Sequence, residues 1–525
     1  MKRKSGPIVA VLCAVALAAC SPKQADDTQR YSVLIINGAV YDGTLAAPRH
    51  TSIGISGDRI ASMDASADTP ADIVIDANGM AVVPGFIDPH THALDDLLDD
   101  ERKANLNYLT QGVTTVFVGN DGRGIPGLEE NLAKMRRQGI GSNVAFYTGH
   151  GTARETVLGF EDRAPTDDEL DQMRAFVDRE MRAGALGLST GLFYRPGSYA
   201  DTEEVIELAK IAQKYGGVYD SHMRDESSYN IGLLGSIREV IEIGEKADIP
   251  VHIAHLKALG RDVWGQSGDV IALVSAARER GMSVTADQYP YRASGTSLQS
   301  SLIPRWVMAD SEEAMFERLA NPDLEDRIRK EMEANLWRRG GADSLLVIED
   351  SEWRGMTLAQ IAEDMGLDPI DSAVEVVRGG NPSVASFNMN PDDIDAIAIQ
   401  PWVMTGSDGS EGHPRKFATY PKAYQDMVAT KKLFPLTRFI YRSSGLVAEF
   451  FNLCDRGFLR PGMRADIAII DFDNFIPVAD FKRPTELSTG VSELLVNGQP
   501  AISSGEYTGA LSGTVVDRQQ LACPR

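Results

Sequence analysis

The sequence predicts an α/β fold: a (β/α)8 TIM barrel, with a small β-sandwich formed by both chain ends and an insertion near the seventh strand. Three observations predict it. Between Val82 and Leu453, short apolar runs alternate with amphipathic stretches, and eight such units can be counted. The runs are rich in β-branched residues, as strands buried on both faces are. Histidines collect at the C-terminal ends of those runs, the face on which barrel proteins build their sites. A doubly wound open sheet has the same local alternation and stays open as the alternative.

The chain opens with a targeting segment, residues 1–20. Lys2, Arg3 and Lys4 make a basic start, and the apolar run from Ile8 to Ala19 is too short to span a bilayer as a helix. It ends in Leu17-Ala18-Ala19-Cys20, which resembles the lipobox of bacterial lipoproteins and implies cleavage before Cys20 and lipid on that cysteine. A plain secretory signal is the alternative. Either reading exports the protein, and lipidation makes it periplasmic, on a membrane by its lipid anchor only. The polar residues 21–30 read as a tether.

Residues 31–81 and 456–520 hold short strand-like runs such as VLIINGAVYDG and LLVNGQPAISSGEY, whose NG dipeptides read as tight hairpin turns. These two segments are expected to form the sandwich. Residues 82–455 carry the eight candidate strands VVPGFIDPH, GVTTVFVGND, NVAFYTGH, ALGLSTGL, VYDSHMR, VHIAHLKA, MSVTADQYPY and AIAIQPWVMTGSDG. Helices are expected over Glu169 to Ala183, with Glu169 in capping-box position after Pro165-Thr166, and over Glu203 to Tyr215, Leu233 to Lys246 and Val270 to Arg280. A strongly charged helical stretch at about 304–345 interrupts the seventh unit, either as a lid or subdomain over the site or as a solvated excursion.

Composition bounds the function. With 43% hydrophobic and 24% charged residues the chain is an ordinary globular protein, and a net charge of -23 repels phosphate backbones, which excludes nucleic acid as a partner. Of four cysteines, Cys13 lies in the leader and Cys20 is the anchor. Cys454 and Cys523 remain, as a disulfide in an oxidising compartment or as two thiols.

Of the eight histidines, His90, His92, His150, His222 and His255 end predicted strands and His413 follows the eighth; His50 and His252 read as bland. His90 and His92 are two apart on a strand end and point the same way, so both imidazoles can reach one ion. His222 and His255 end strands five and six, and Asp408 ends strand eight. Imidazoles with carboxylates suit Zn2+, one or two ions, with Mn2+, Fe2+ or Co2+ as other candidates.

The motifs VVPGFIDPHTH, QGVTTVFVGN, GHGTAR, GALGLSTGLFYRPGSYADTEE, SHMRDE, HLKALGRDVWG, DQYPYRASGTSL, GSDG with HPR, and LRPGMRADIAIIDFD together resemble the amidohydrolase superfamily, and within it the D-aminoacylase (N-acyl-D-amino-acid deacylase) family. The resemblance implies a (β/α)8 barrel with a β-sandwich from both ends and an insertion near strand seven. It implies that His90, His92 and Asp408 form one metal position and His222 and His255 the tighter one. Where the family has a cysteine after GN, this chain has Asp121, which either bridges ions as a hard oxygen donor or caps the Asn120-Asp121-Gly122 turn.

The neighbouring dihydroorotases and hydantoinases bridge metals with a carboxylated lysine at strand four, and ALGLSTGL has no lysine. The resemblance also implies a small-molecule substrate with a free carboxylate, held by Lys257, Tyr289, Ser294 and Arg415, with the loop Leu192 to Tyr199 shaping a pocket. Asp408 is the expected general base, and His150 an oxyanion stabiliser or a partner behind the ligands. The activity implied is hydrolysis of N-acyl-D-amino acids. A dipeptidase acting on L-Xaa-D-Xaa peptides and a non-catalytic binding lipoprotein are the competing readings.

Overall fold

A computed structural model describes Met1 and residues 30–518. The lipobox with Cys20, the body of the leader and tether, and Cys523 lie outside the described residues. Cys454 is disulfide-bonded.

Nine strands come in two parallel sets. Phe86–Asp88, Val113–Val118 and Asn143–Phe146 pair in that order. Thr148–Gly149, Gly187–Gly191, Val218–His222, Val251–Ile253, Val284–Gln288 and Val403–Thr405 pair in that order. Only Tyr147 separates Phe146 from Thr148, so the two short pieces are one strand handed from the first sheet to the second. At the far ends, a parallel bridge joins Thr91 to Gly409, and the Asp408 amide donates to the His90 carbonyl at 2.9 Å. Amphipathic helices follow the strands. Asp167–Arg182 starts on the Thr166/Glu169 capping box, and Thr202–Lys214, Leu233–Ala247 and Ser267–Glu279 pack their apolar faces toward the strands.

Two of the expected strands are cut differently. VVPGFIDPH splits at Pro84-Gly85: Ala81–Pro84 joins the chain-end sheet and Phe86–Asp88 the parallel set. Proline cannot donate to a ladder, and a Cβ on Gly85 would lie 2.3 Å from Thr114 Oγ1, so the chain changes sheets there. In AIAIQPWVMTGSDG, the helix Pro391–Ala398 takes the first residues and only Val403–Thr405 is strand. Pro391 at its first turn and the Asn390 side chain on the Asp392 amide start that helix and override the β-branched run.

The two chain ends meet in one nine-stranded mixed sheet, joined where Ile467–Ile470 pairs antiparallel with Ala81–Pro84. Asn497-Gly498, both at positive φ, makes the hairpin between Val491–Val496 and Gln499–Ser503. Asn37-Gly38 does not turn the chain; it is a bulge inside Tyr31–Val40, where a Cβ on Gly38 would lie 2.4 Å from Val82.

The excursion after the seventh parallel strand runs from about 293 to 387, wider than the expected 304–345. Ala293–Ser297, Ser383–Phe387 and Leu345–Val347 form a small antiparallel sheet, covered by Glu325–Arg338, Leu358–Met365 and Pro369–Gly379 over a separate apolar core. Charge density at 304–345 marks only its solvated helices. Its apolar strands resemble barrel strands locally and gave no boundary.

Candidate active site

Strand ends set the site. His90 and His92 follow Phe86–Asp88, Asp121 follows Val113–Val118, His222 ends its strand, His255 follows Val251–Ile253 and Asp408 follows Val403–Thr405. Asp121, His255 and Asp408 all have positive φ, at 57°, 34° and 46°. Such backbone is costly away from glycine and is kept where the surroundings over-determine it. For Asp121 the LSTGL motif supplies those surroundings. Ser189 Oγ accepts from the Gly122 amide at 3.1 Å and donates to the Gly119 carbonyl at 2.5 Å, and a Cβ on Gly191 would lie 2.2 Å from the Asp121 carbonyl.

The Asp121 carboxylate sits among four imidazoles. Its Oδ1 is 3.5 Å from His90 Nε2, 3.4 Å from His222 Nδ1 and 3.5 Å from His255 Nε2; its Oδ2 is 3.5 Å from His92 Nε2. Asp408 Oδ1 lies 3.1 Å from His92 Nε2 and 3.6 Å from His90 Nε2. Asp121 Oδ1 and His90 Nε2 are buried without a hydrogen bond. Two donors each 2.0–2.1 Å from one tetrahedral ion stand about 3.3–3.4 Å apart, so these separations fit ligands sharing an ion better than direct hydrogen bonds. His90, Asp121, His255 and Asp408 converge within 4.8 Å of one another, and so do His222, Glu226 and His255.

The charges agree. Burial disfavours a charged imidazole, yet the carboxylate of Asp121 outweighs it and lifts His90 to about 9. His255 is lifted to about 10 against burial and Lys257 by Asp408, Glu226 and Asp121. Against their own burial, Asp121 is held well below the usual carboxylate range first by His90, and Asp408 first by Arg415. Burial holds His222 below the usual imidazole range, so the negative charge of Asp121 and Asp408 bears on His90 and His255, and a cation at the cluster would relieve it.

A cavity of about 660 Å³ opens on this cluster, lined by His92, Asp121, His222, His255 and Asp408 and walled by Lys257, Ser294, Arg339 and Arg415. Tyr194 from the FYRPG loop also faces it, its ring 4.7 Å from that of His222. Arg415 Nη1 is 2.9 Å from Asp408 Oδ2, and its Nη2 touches Ser410 Oγ at 3.1 Å. The Arg415 guanidinium lies over the Tyr289 ring at 4.7 Å, and the Tyr289 hydroxyl has no hydrogen-bond partner among the described residues. Ser294 Oγ is 3.4 Å from Asn388 Oδ1.

Two expected residues have partners that the sequence does not show. Lys257 lines the cavity, and its ammonium meets Glu226 Oε1 at 2.6 Å, His255 Nδ1 at 2.7 Å and the His255 carbonyl at 2.9 Å. His150 is not part of the cluster. It opens the helix His150–Leu158, its Nε2 lies 2.9 Å from Glu204 Oε1, and Arg154 grips the same carboxylate. A strand-end position allowed it into the site, but the next residue already turns into a helix and carries its ring to Glu204. His413 likewise turns away, onto the Ala293 carbonyl and the Arg415 amide.

Tyr194 belongs to the Leu192 to Tyr199 loop expected to shape a pocket, whereas Glu226 and Arg339 are not among the residues that the sequence singles out. Glu226 lies four residues past His222 in SHMRDE, a visible signal. Arg339 sits in the charged helical stretch at about 304–345, which reads either as a lid or subdomain over the site or as a solvated excursion, with no residue of it marked out.

A carboxylate ringed by imidazoles at the ends of parallel strands is the apparatus of metal-assisted hydrolysis. Known proteins narrow that class. The model of the Amidohydrolase family matches residues 73–272. D-aminoacylase of Alcaligenes xylosoxydans xylosoxydans is 31% identical over 522 residues, covering 94% of this chain and 99% of its own. N-acyl-D-aspartate deacylase of the same organism is 30% identical over 516 residues, covering 92% and 95%. The crystal structure of N-acyl-D-glutamate deacylase from Bordetella bronchiseptica, complexed with zinc and a phosphonate mimic of the tetrahedral intermediate, superposes with a TM-score of 0.80 at 28% identity, over 93% of this chain and all of that one. With likeness of this degree along nearly its whole length, the chain belongs to the amidohydrolase family, beside the D-aminoacylases. It is a hydrolase of linear amides.

Proposed function

We propose that the protein is a metal-dependent deacylase of N-acyl-D-amino acids, releasing a carboxylate and a D-amino acid, with zinc as its metal and the parallel strands closed as a (β/α)8 barrel beside a chain-end β-sandwich. The observation that carries this is the Asp121 carboxylate with an imidazole nitrogen 3.4–3.5 Å away on each of four histidines. The relatives' substrates and the zinc in the glutamate deacylase support the same reading.

A divalent ion held at this cluster supplies Lewis acidity, which activates water and polarises an amide carbonyl. Asp121, facing both halves of the ligand set, joins His222 and His255 to His90, His92 and Asp408. Glu226, 3.1 Å from His255 Nδ1, accepts the proton on that nitrogen and leaves Nε2 unprotonated for the cluster, while Lys257 holds Glu226. Asp408, kept ionised, takes the proton of the attacking water on the oxygen beside His92 and delivers it to the departing nitrogen. Arg415 receives the substrate's α-carboxylate on the edge that now meets Ser410, and Tyr289 and Ser294 border that place.

The basic start, the short apolar run and Leu17-Ala18-Ala19-Cys20 support export and a lipid anchor. A disulfide at Cys454 suits an oxidising periplasm.

The test is metal analysis of the purified protein, then amine release from N-acetyl-D-, N-acetyl-L- and L-Xaa-D-Xaa substrates. We expect one or two equivalents of zinc and release from the N-acetyl-D series. Release from the dipeptides alone would make it a dipeptidase, and a metal-free active protein would refute the metal reading.

A further inference from the structure

The cations around the cavity are not equivalent. Lys257 has Glu226 at 2.6 Å and Arg415 has Asp408 at 2.9 Å. Arg339, only 2% exposed, lines the same cavity with no carboxylate oxygen of the described residues within 4.0 Å. Its contacts are all neutral: Nε donates to the Tyr229 hydroxyl at 2.6 Å, Nη1 reaches Ser294 Oγ at 3.5 Å, and the guanidinium lies near the Tyr229 and Phe193 rings. Arg305, which also has no acid within 4.0 Å among the described residues, stands close enough that burial and the charge of Arg339 together bring it down to about 10. A buried charge that lacks a counter-charge, with a second cation pressing on it, is costly to keep. An anionic ligand supplies what is missing.

Position says which anion. Arg339 touches Ser294, and the next residue, Gly295, lies against Arg415: a Cβ on it would be 3.0 Å from Arg415 Nη2. The two guanidiniums thus meet neighbouring residues of one strand and line one cavity. One molecule with two carboxylates separated by two or three carbons can reach both.

Resting on the deacylase reading above, we propose that Arg339 binds a second carboxylate, and that the preferred substrates are N-acyl-D-amino acids with acidic side chains, of the aspartate and glutamate type. Arg415 takes the α-carboxylate and Arg339 the side-chain carboxylate, with Tyr229 and Ser294 fixing the plane of its guanidinium. A neutral side chain leaves Arg339 uncompensated, and discrimination follows from that cost.

The experiment compares kcat/KM for N-acetyl-D-glutamate with that for its neutral isostere N-acetyl-D-glutamine, in the wild type, Arg339→Met and Arg339→Lys, each checked for metal content and Tm. We expect the wild type to favour the glutamate compound on the order of 10²-fold, Arg339→Met to bring that ratio close to one, and Arg339→Lys to keep part of it. A wild-type ratio of one or below overturns the proposal, a result that needs no variant to fold. So does a ratio unchanged in Arg339→Met, which would leave Arg339 as packing for Tyr229. Failure of the wild type to release amine from any N-acetyl-D substrate would overturn the deacylase reading and this proposal together; cleavage of neutral substrates alone would overturn only this one.

Discussion

Asp408 touches His92 with one oxygen and Arg415 with the other, at 3.1 and 2.9 Å. A carboxylate so placed can shuttle a proton while the remaining ligands keep their positions. Asp408→Asn is therefore expected to lower kcat/KM by about 10³-fold or more, within the range general bases contribute, with metal content largely retained. Metal analysis beside the kinetics separates this from simple loss of the ion, and an active variant would sink the assignment. Asp121 shows how one side chain can serve several neighbours, since its two oxygens stand 3.4–3.5 Å from a nitrogen of each of four imidazoles.

Local elements hold these side chains in place without touching the chemistry. The segment Gly187–Gly191 presses its LSTG backbone against the loop that carries Asp121. Gly191→Ala puts a Cβ where the Asp121 carbonyl is now 2.2 Å away, so the loop must move. We expect at least ten-fold weaker metal retention on dialysis against chelator, with unchanged far-UV circular dichroism. Retention equal to the wild type would show that the loop yields without cost. The excursion at about 293–387 works the same way at greater distance: its strands bring Ser294 to the cavity, and the end of Glu325–Arg338 delivers Arg339.

Across the molecule, several carboxyl groups are buried at a cost to stability, and Glu180 is the clearest outside the metal cluster. Burial pushes its carboxyl up to about 7, and its Oε2 has no hydrogen-bond partner. A folded pKa above the unfolded value of about 4.3 means the protonated form is favoured by folding. The associated stability is full below pH about 4.3 and is lost as pH rises toward 7. Glu180→Gln keeps the neutral shape, so its advantage over the wild type should grow between pH 5 and 7 and level off above 7, with a ceiling of about 3 kcal/mol. Unfolding free energies of the two proteins across that range test it; a constant difference would contradict the burial argument.

Much of this was legible along the chain. The alternation of β-branched runs and capped helices, the two-residue spacing of His90 and His92, the strand-end His222, His255 and Asp408, and the likeness of the motifs are local patterns, and local patterns survive in a sequence. What the fold alone decided involves pairs far apart in the chain. It turned His150 onto Glu204, enclosed Lys257 with Glu226 and His255, split VVPGFIDPH between two sheets, and brought Arg339 from a charged helical stretch to the wall of the cavity. Periodicity reports which face of an element is apolar; it carries no record of which distant charge meets that face. Electrostatic partnership depends on through-space distance, so the neutralised and the uncompensated cations of this site become distinguishable only once the strands and the excursion are packed together.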